Sequence, residues 1–186
     1  MLEFDDFISQ LLEESRICYE KAKSVEDGFS QDTFIHSSLL LSISTLESCI
    51  NAISEELLIE PYKNEYSVHE QALLLEKDVK FDKGEYRLGN GLKISKTSDR
   101  IEYLYYKFSG KKLGSTDLWY CNLKQSIDVR NKLVHPKEYV KITLKQAETA
   151  LLSVIEAMNV LYLLIYKKKL PTYDRGLSSK KDLVIN

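Results

Sequence analysis

Apolar residues recur at three- and four-residue steps along most of this chain, and that spacing restricts it to amphipathic helices packed on one another. The pattern is clearest from about Asp32 to Leu58, where Ile35, Leu39, Ile43, Leu46, Ile50, Ile53 and Leu57 share a face. Pro61 is expected to end that helix. An earlier segment opens on Phe4, Phe7, Ile8, Leu11 and Leu12, carries Asp5 and Asp6 in its first turn, and runs to about Lys23. A last long segment runs from Thr143, suited to an N-cap, to about Lys168 and is apolar around most of its circumference. It is expected to be the most buried element.

Shorter helices are expected from about Ser67 to Lys77, Asp99 to Phe108 and Ser115 to Val134, the last stopped by Pro136. Asp27 to Ser30 reads as a turn. Residues 79–95 break the pattern. Val79, Phe81, Tyr86, Leu88, Leu92 and Ile94 flank Gly89-Asn90-Gly91, which suggests a short β-hairpin turning at those glycines, or an ordered loop. With seven glycines and three prolines in 186 residues, little remains for the turns of an all-β fold. The expected fold is an all-α bundle with two long helices and a short hairpin insertion. Residues 1–168 form one helical domain, and residues 169–186 a basic C-terminal tail that is either an arm or packs on the body.

At 44% hydrophobic and 29% charged residues the composition is that of a folded chain, not a disordered one. Cys18, Cys49 and Cys121 are odd in number and far apart within apolar segments, which suggests reduced, buried thiols rather than a disulfide framework. The N-terminus is acidic where an export signal would be basic, and the uncharged run from Ala157 to Tyr166 is too short to span a bilayer. A cytoplasmic protein without membrane segments is the expectation. Charge is divided unevenly: residues 1–60 hold 3 Lys/Arg against 13 Asp/Glu, and residues 61–186 hold 23 against 15. A positive face can therefore coexist with a net charge of −2.

Several kinds of site find no support. His36, His69 and His135 are isolated, and no Cys or His pair has metal-ligand spacing. Gly89-Asn90-Gly91 lacks the remainder of a phosphate-binding glycine pattern. Serines 37, 38, 42, 44 and 48 lie along a helix rather than on a nucleophile elbow. No cofactor or metal is expected.

One segment stands apart: Asp128-Val129-Arg130-Asn131-Lys132-Leu133-Val134-His135-Pro136. It places an arginine, an adjacent amide and a histidine at the end of a helix. Arginine grips a phosphate through two donors, histidine moves a proton near neutral pH, and asparagine can orient either. Together these groups suit phosphodiester cleavage in RNA. A structural role is the competing reading: His135-Pro136 as a helix stop and Arg130 covering apolar surface with its stem.

Arg130-Asn131-Lys132-Leu133-Val134-His135 resembles the Arg-x4–6-His motif of the HEPN superfamily (higher eukaryotes and prokaryotes nucleotide-binding domains), in which a polar residue commonly follows the arginine. Leu46-Glu47-Ser48-Cys49-Ile50-Asn51 is similar to the family's early helix, where an acidic residue often faces the active centre; on that basis Glu47 is a weaker candidate. The resemblance implies a helical homodimer with the two motifs facing one cleft, and a metal-independent endoribonuclease of toxin–antitoxin, abortive-infection or anti-phage systems. His135 would serve as general acid or base, Arg130 would stabilise the phosphorane, and Asn131 would position one of them. RNA is the implied substrate and an antitoxin or defence component an implied partner. Lys137 stands where some toxins of the superfamily carry a modifiable tyrosine, so that route of silencing is not implied. The rival readings are a non-catalytic interaction or antitoxin-like module and a nucleotide-sensing domain.

Overall fold

Asp27 determines where the second helix begins. Its carboxylate accepts the Ser30 amide at 2.7 Å, so the segment expected as a turn is instead the first helical turn, and α2 spans Gly28–Leu57. The preceding helix, α1, spans Leu2–Ser24. The computed structural model describes residues 2–60 and 62–180, with side chains from Asp6 onward; Phe4 and Asp5 in the first turn, Pro61, and Lys181 with the rest of the tail lie outside the described side chains or residues. Within these bounds the protein is mostly helical, with α3 (Val68–Leu75), α4 (Thr97–Ser109), α5 (Leu118–Val134), α6 (Leu144–Ile165) and one two-stranded antiparallel sheet of β1 (Lys77–Asp82) and β2 (Glu85–Leu92).

α1 and α2 pack antiparallel. Two buried serines bind reciprocally across them: Ser15 Oγ donates to the Ser38 carbonyl at 2.9 Å, and Ser38 Oγ to the Ser15 carbonyl at 3.0 Å. Ser42 donates to the Leu39 carbonyl, so these buried hydroxyls are occupied by backbone. α2 and α6 form the centre of the core, where Leu39, Ile43, Leu46 and Ile50 are sealed together with Ala147, Leu151, Val154 and Leu161. Each such leucine or isoleucine contributes about 1.5–3 kcal/mol by leaving water. Both helices are long and apolar enough to cross a membrane by length and composition, with mean hydropathy of 1.2 and 1.6, and half of each apolar window is buried inside the fold. α6 begins as expected: Thr143 Oγ1 accepts the Gln146 amide, and Gln146 Oε1 accepts the Thr143 amide in return.

The hairpin lies within the expected stretch but turns elsewhere. Asp82 pairs with Glu85 across Lys83-Gly84, whose φ values of 50° and 89° make the two-residue turn. Gly89 and Gly91 sit inside β2 instead, where the Asp78 side chain crosses the strand and accepts the Gly91 amide at 2.7 Å. A Cβ on Gly89 would lie 2.1 Å from Asp78 Oδ1. α3 ends at Glu76 in the left-handed region (φ 52°), which turns the chain directly into β1, two residues earlier than expected.

After α6 the chain doubles back. Lys167 takes φ 57°, the Leu170 amide donates to buried Asn159 Oδ1 at 3.1 Å, and Tyr173 donates to Glu156 at 2.5 Å. Residues 172–180 then lie along α1. Arg16, fully buried, donates through Nε to the Gly176 carbonyl at 2.8 Å and through a terminal nitrogen to the Thr172 carbonyl at 2.9 Å. Burial, with Arg175 nearby, brings its pKa down to about 10. Glu13 accepts Arg175 and the Lys180 amide, and Glu20 accepts Ser179. None of the three cysteines is in a disulfide; Cys49 is buried, whereas Cys18 and Cys121 are only half-buried.

Candidate functional site

α5 is an amphipathic helix that turns Leu123, Ile127 and Arg130, spaced four and three residues apart, toward the body of the protein. Leu123 is sealed in the core and Ile127 packs against it, so Arg130 is carried toward α2. There Glu47 receives it in an ion pair. Glu47 Oε1 also accepts Thr97 Oγ1, the first residue of α4, at 3.2 Å. One carboxylate thus joins α2, α4 and α5.

This junction borders an open cavity of about 700 Å³. Arg130, Asn131 and Lys124 of α5 line it, with Glu47 and Asn51 of α2 and Arg100 of α4. Leu92 and Ile94, at the base of the hairpin, form an apolar rim with 77% and 79% of their surface exposed. Lys96, Ser95, Thr97 and Ser98 line the side where α4 begins. Lys124 Nζ lies 4.7 Å from the Tyr120 ring centroid, and Tyr120 in turn donates to Glu102. Burial and that bond to a carboxylate both push the Tyr120 pKa up.

The cavity's back wall is set by Arg100, 3% exposed. It donates to Asn51 Oδ1 at 2.8 Å, to the Leu74 carbonyl at 2.8 Å and to Ser54 Oγ at 3.2 Å, and it pairs with Glu76 at 3.6 Å. Glu76 Oε1 also accepts the Ser95 amide at 3.0 Å, fixing the link between the hairpin and α4. Burial pulls the Arg100 pKa down, and the Glu76 and Glu47 carboxylates oppose that pull.

The four residues singled out from the sequence are only partly gathered. Glu47, Arg130 and Asn131 line one cavity. His135 does not. It occupies the C-cap of α5 (φ −124°, ψ 61°), exposed, with its amide donating to the Asn131 carbonyl at 2.9 Å. Sequence reasoning missed Arg100, Lys96, Thr97, Lys124 and Asn51 as cavity residues. The Arg100 signal was available: Arg100, Leu104 and Phe108 form an i, i+4, i+8 stripe, and an arginine on an apolar stripe is a buried arginine. Among the described residues no three His, Cys, Asp or Glu side chains converge to hold a metal ion.

A second cavity, of about 630 Å³, lies between α1, α2 and α6 and is lined by Ile8, Cys49, Ile53, Tyr162 and Tyr166. None of the residues chosen from the sequence reaches it. No protein-family model, curated protein or solved structure matches the chain.

Proposed function

We propose that this chain is a metal-independent endoribonuclease of the HEPN type, working as a homodimer. The observation that carries the reading is the setting of Arg130: a guanidinium oriented by a carboxylate at the wall of an open cavity, with Asn131 beside it and an exposed histidine one turn further along the same helix. A cavity of this size admits a nucleotide.

In the proposed reaction the ribose 2′-oxygen forms a bond to the adjacent phosphorus and the bond from phosphorus to the 5′-oxygen breaks. The products are a 2′,3′-cyclic phosphate and a 5′-hydroxyl. One imidazole takes the 2′-hydroxyl proton and, thus protonated, gives it up to the leaving 5′-oxygen. Arg130 stabilises the charge that builds on the phosphorane oxygens, a kind of contribution worth about 3–4 kcal/mol of barrier in comparable sites. Asn131, exposed at the cavity edge, orients the phosphate or the imidazole. Because His135 does not line the cavity of its own chain, the reading assigns each cavity the histidine of a second copy. The resemblance also supplies the wider setting: a toxin or anti-phage effector in the cytoplasm, partnered by an antitoxin or another defence component.

The test is incubation of the purified chain with a mixed tRNA and mRNA pool in excess EDTA, followed by analysis of the fragment ends. Fragments ending in cyclic phosphate are expected. Intact RNA would overturn the reading in favour of a non-catalytic interaction or nucleotide-sensing module.

A further inference from the structure

The cavity between α1, α2 and α6 lies on the other side of α2 from the Arg130 junction. A helix advances about 100° per residue, so Cys49, Ile53 and Glu56 project from the face of α2 turned away from Glu47. The floor is core: Ile8, Cys49 and Ile53 are buried. Tyr162 and Tyr166 of α6 line it with their ring centroids 5.2 Å apart. The remaining wall exists because the chain doubles back after α6. Lys167 takes φ 57° and Asn159 holds the Leu170 amide, which brings Lys168, Lys169 and Pro171 to the same cavity. Its volume of about 630 Å³ is that of a site for a mid-sized organic molecule.

The charges at its mouth do not cancel. Lys169 is paired with Asp174. Glu56 accepts the hydroxyl of Tyr166 at 2.5 Å, a neutral donor that leaves the carboxylate its full charge. Burial and that carboxylate push the Tyr166 pKa up, so the hydroxyl stays protonated. Among the described residues Glu55, Glu56 and Lys168 make no ion pair. Two carboxylates therefore stand against one unpaired ammonium. α2 also ends at this cavity with no basic residue in its last turn, and the negative end of its dipole adds to the excess.

We infer that this cavity binds an organic cation, a single ammonium group carried on a hydrocarbon body. The apolar floor takes the body out of water, worth about fourfold in affinity for each CH₂ buried. The ammonium stays at the mouth with Glu55 and Glu56, where the faces of tyrosine rings also attract a cation. An anionic amphiphile would find Lys168 but would face both carboxylates. This site lies apart from Arg130, Asn131 and His135, and it stands or falls without the ribonuclease reading.

The test is calorimetric titration of the full chain with three eight-carbon probes below their micelle-forming concentrations: octyltrimethylammonium, octanol and octanoate. The ammonium should bind about tenfold more tightly than the alcohol, and octanoate least. Hexyltrimethylammonium, two methylenes shorter, should bind about 15-fold more weakly than the octyl probe. Glu55 is exposed, so Glu55→Lys should melt as wild type does. It reverses the balance at the mouth and should weaken octyltrimethylammonium by about tenfold or more while strengthening octanoate. Ala52→Phe places a ring in the cavity and should remove binding of every probe. Octanoate binding as tightly as octyltrimethylammonium overturns the inference, as does binding of no probe. Ammonium binding that Glu55→Lys leaves unchanged, or that persists in folded Ala52→Phe, overturns it as well.

Discussion

Arg100 and Arg130 reach the same cavity from different helices and are held in opposite ways. Arg100 is enclosed: Asn51, Ser54, the Leu74 carbonyl and Glu76 take its terminal nitrogens, tying α4 to α2 and to the end of α3. Among the described residues Arg130 has one side-chain partner, Glu47, and it keeps 21% of its side-chain surface exposed. An arginine whose acceptors come from two other elements carries the fold. An arginine with one exchangeable carboxylate at an open cavity is free to change partners. The difference marks Arg100 as a structural guanidinium and Arg130 as the one the proposed reaction would use.

The largest expected effect breaks the first half of that comparison. Arg100→Ala leaves Glu76, Asn51 and a carbonyl without their donor and should cost about 3 kcal/mol or more, as for other broken buried pairs. At this chain length that corresponds to a fall of roughly 10 °C in Tm, measurable by calorimetry. Arg130→Ala tests the second half. It should reduce RNA cleavage by about 10²–10³-fold while stability changes by no more than about 1 kcal/mol, the ordinary range for an exposed pair. If Arg130→Ala unfolds the protein as Arg100→Ala does, the contrast between the two collapses.

The acid limb of stability provides a third, smaller test, away from the cavity. Glu70 caps α3 through Ser67 and accepts Tyr103 Oη at 2.7 Å and Lys107 Nζ at 3.1 Å. Burial works to raise its pKa, but those hydrogen bonds outweigh it and bring the carboxyl down to about 2. A depressed folded-state pKa means that this stabilisation is fully present above about 4.5, the unfolded value, and is lost as pH falls from there toward 2. Urea midpoints measured across that window should fall for the wild type and fall less for Glu70→Gln. The smallest effect is expected at Gly89→Ala, where the new Cβ displaces Asp78 and breaks its bond to Gly91, a loss of about 1 kcal/mol with the α4–α5 cavity intact.

The sequence pattern carried the helices because burial acts on every third or fourth residue, and that periodicity survives in one dimension. It misplaced the hairpin turn for an equally physical reason. Gly89-Asn90-Gly91 has turn composition, yet its glycines make room for Asp78 from the opposite strand, a contact that exists only after pairing. Arg130 and Glu47 were readable as candidates, but not as partners, since 83 residues separate them. Thr97, Lys96 and Lys124 carry no local mark at all. They are surface-type residues that become a site only where α4 and α5 meet α2. The composition of the C-terminal segment suits an arm and a packed tail equally, and the choice lies with Arg16 and Glu13, far away in sequence, which bind residues 172–180 to α1.

The central claim, that Arg130 of one copy works with His135 of another, is tested most directly by mixing two inactive variants. Arg130→Ala and His135→Ala are unfolded together, refolded as a mixture and assayed on RNA in EDTA. The account predicts that each variant alone is inactive and that the mixture recovers on the order of one quarter of wild-type cleavage, because half the dimers are mixed and each holds one intact site. A mixture as inactive as its components would contradict it.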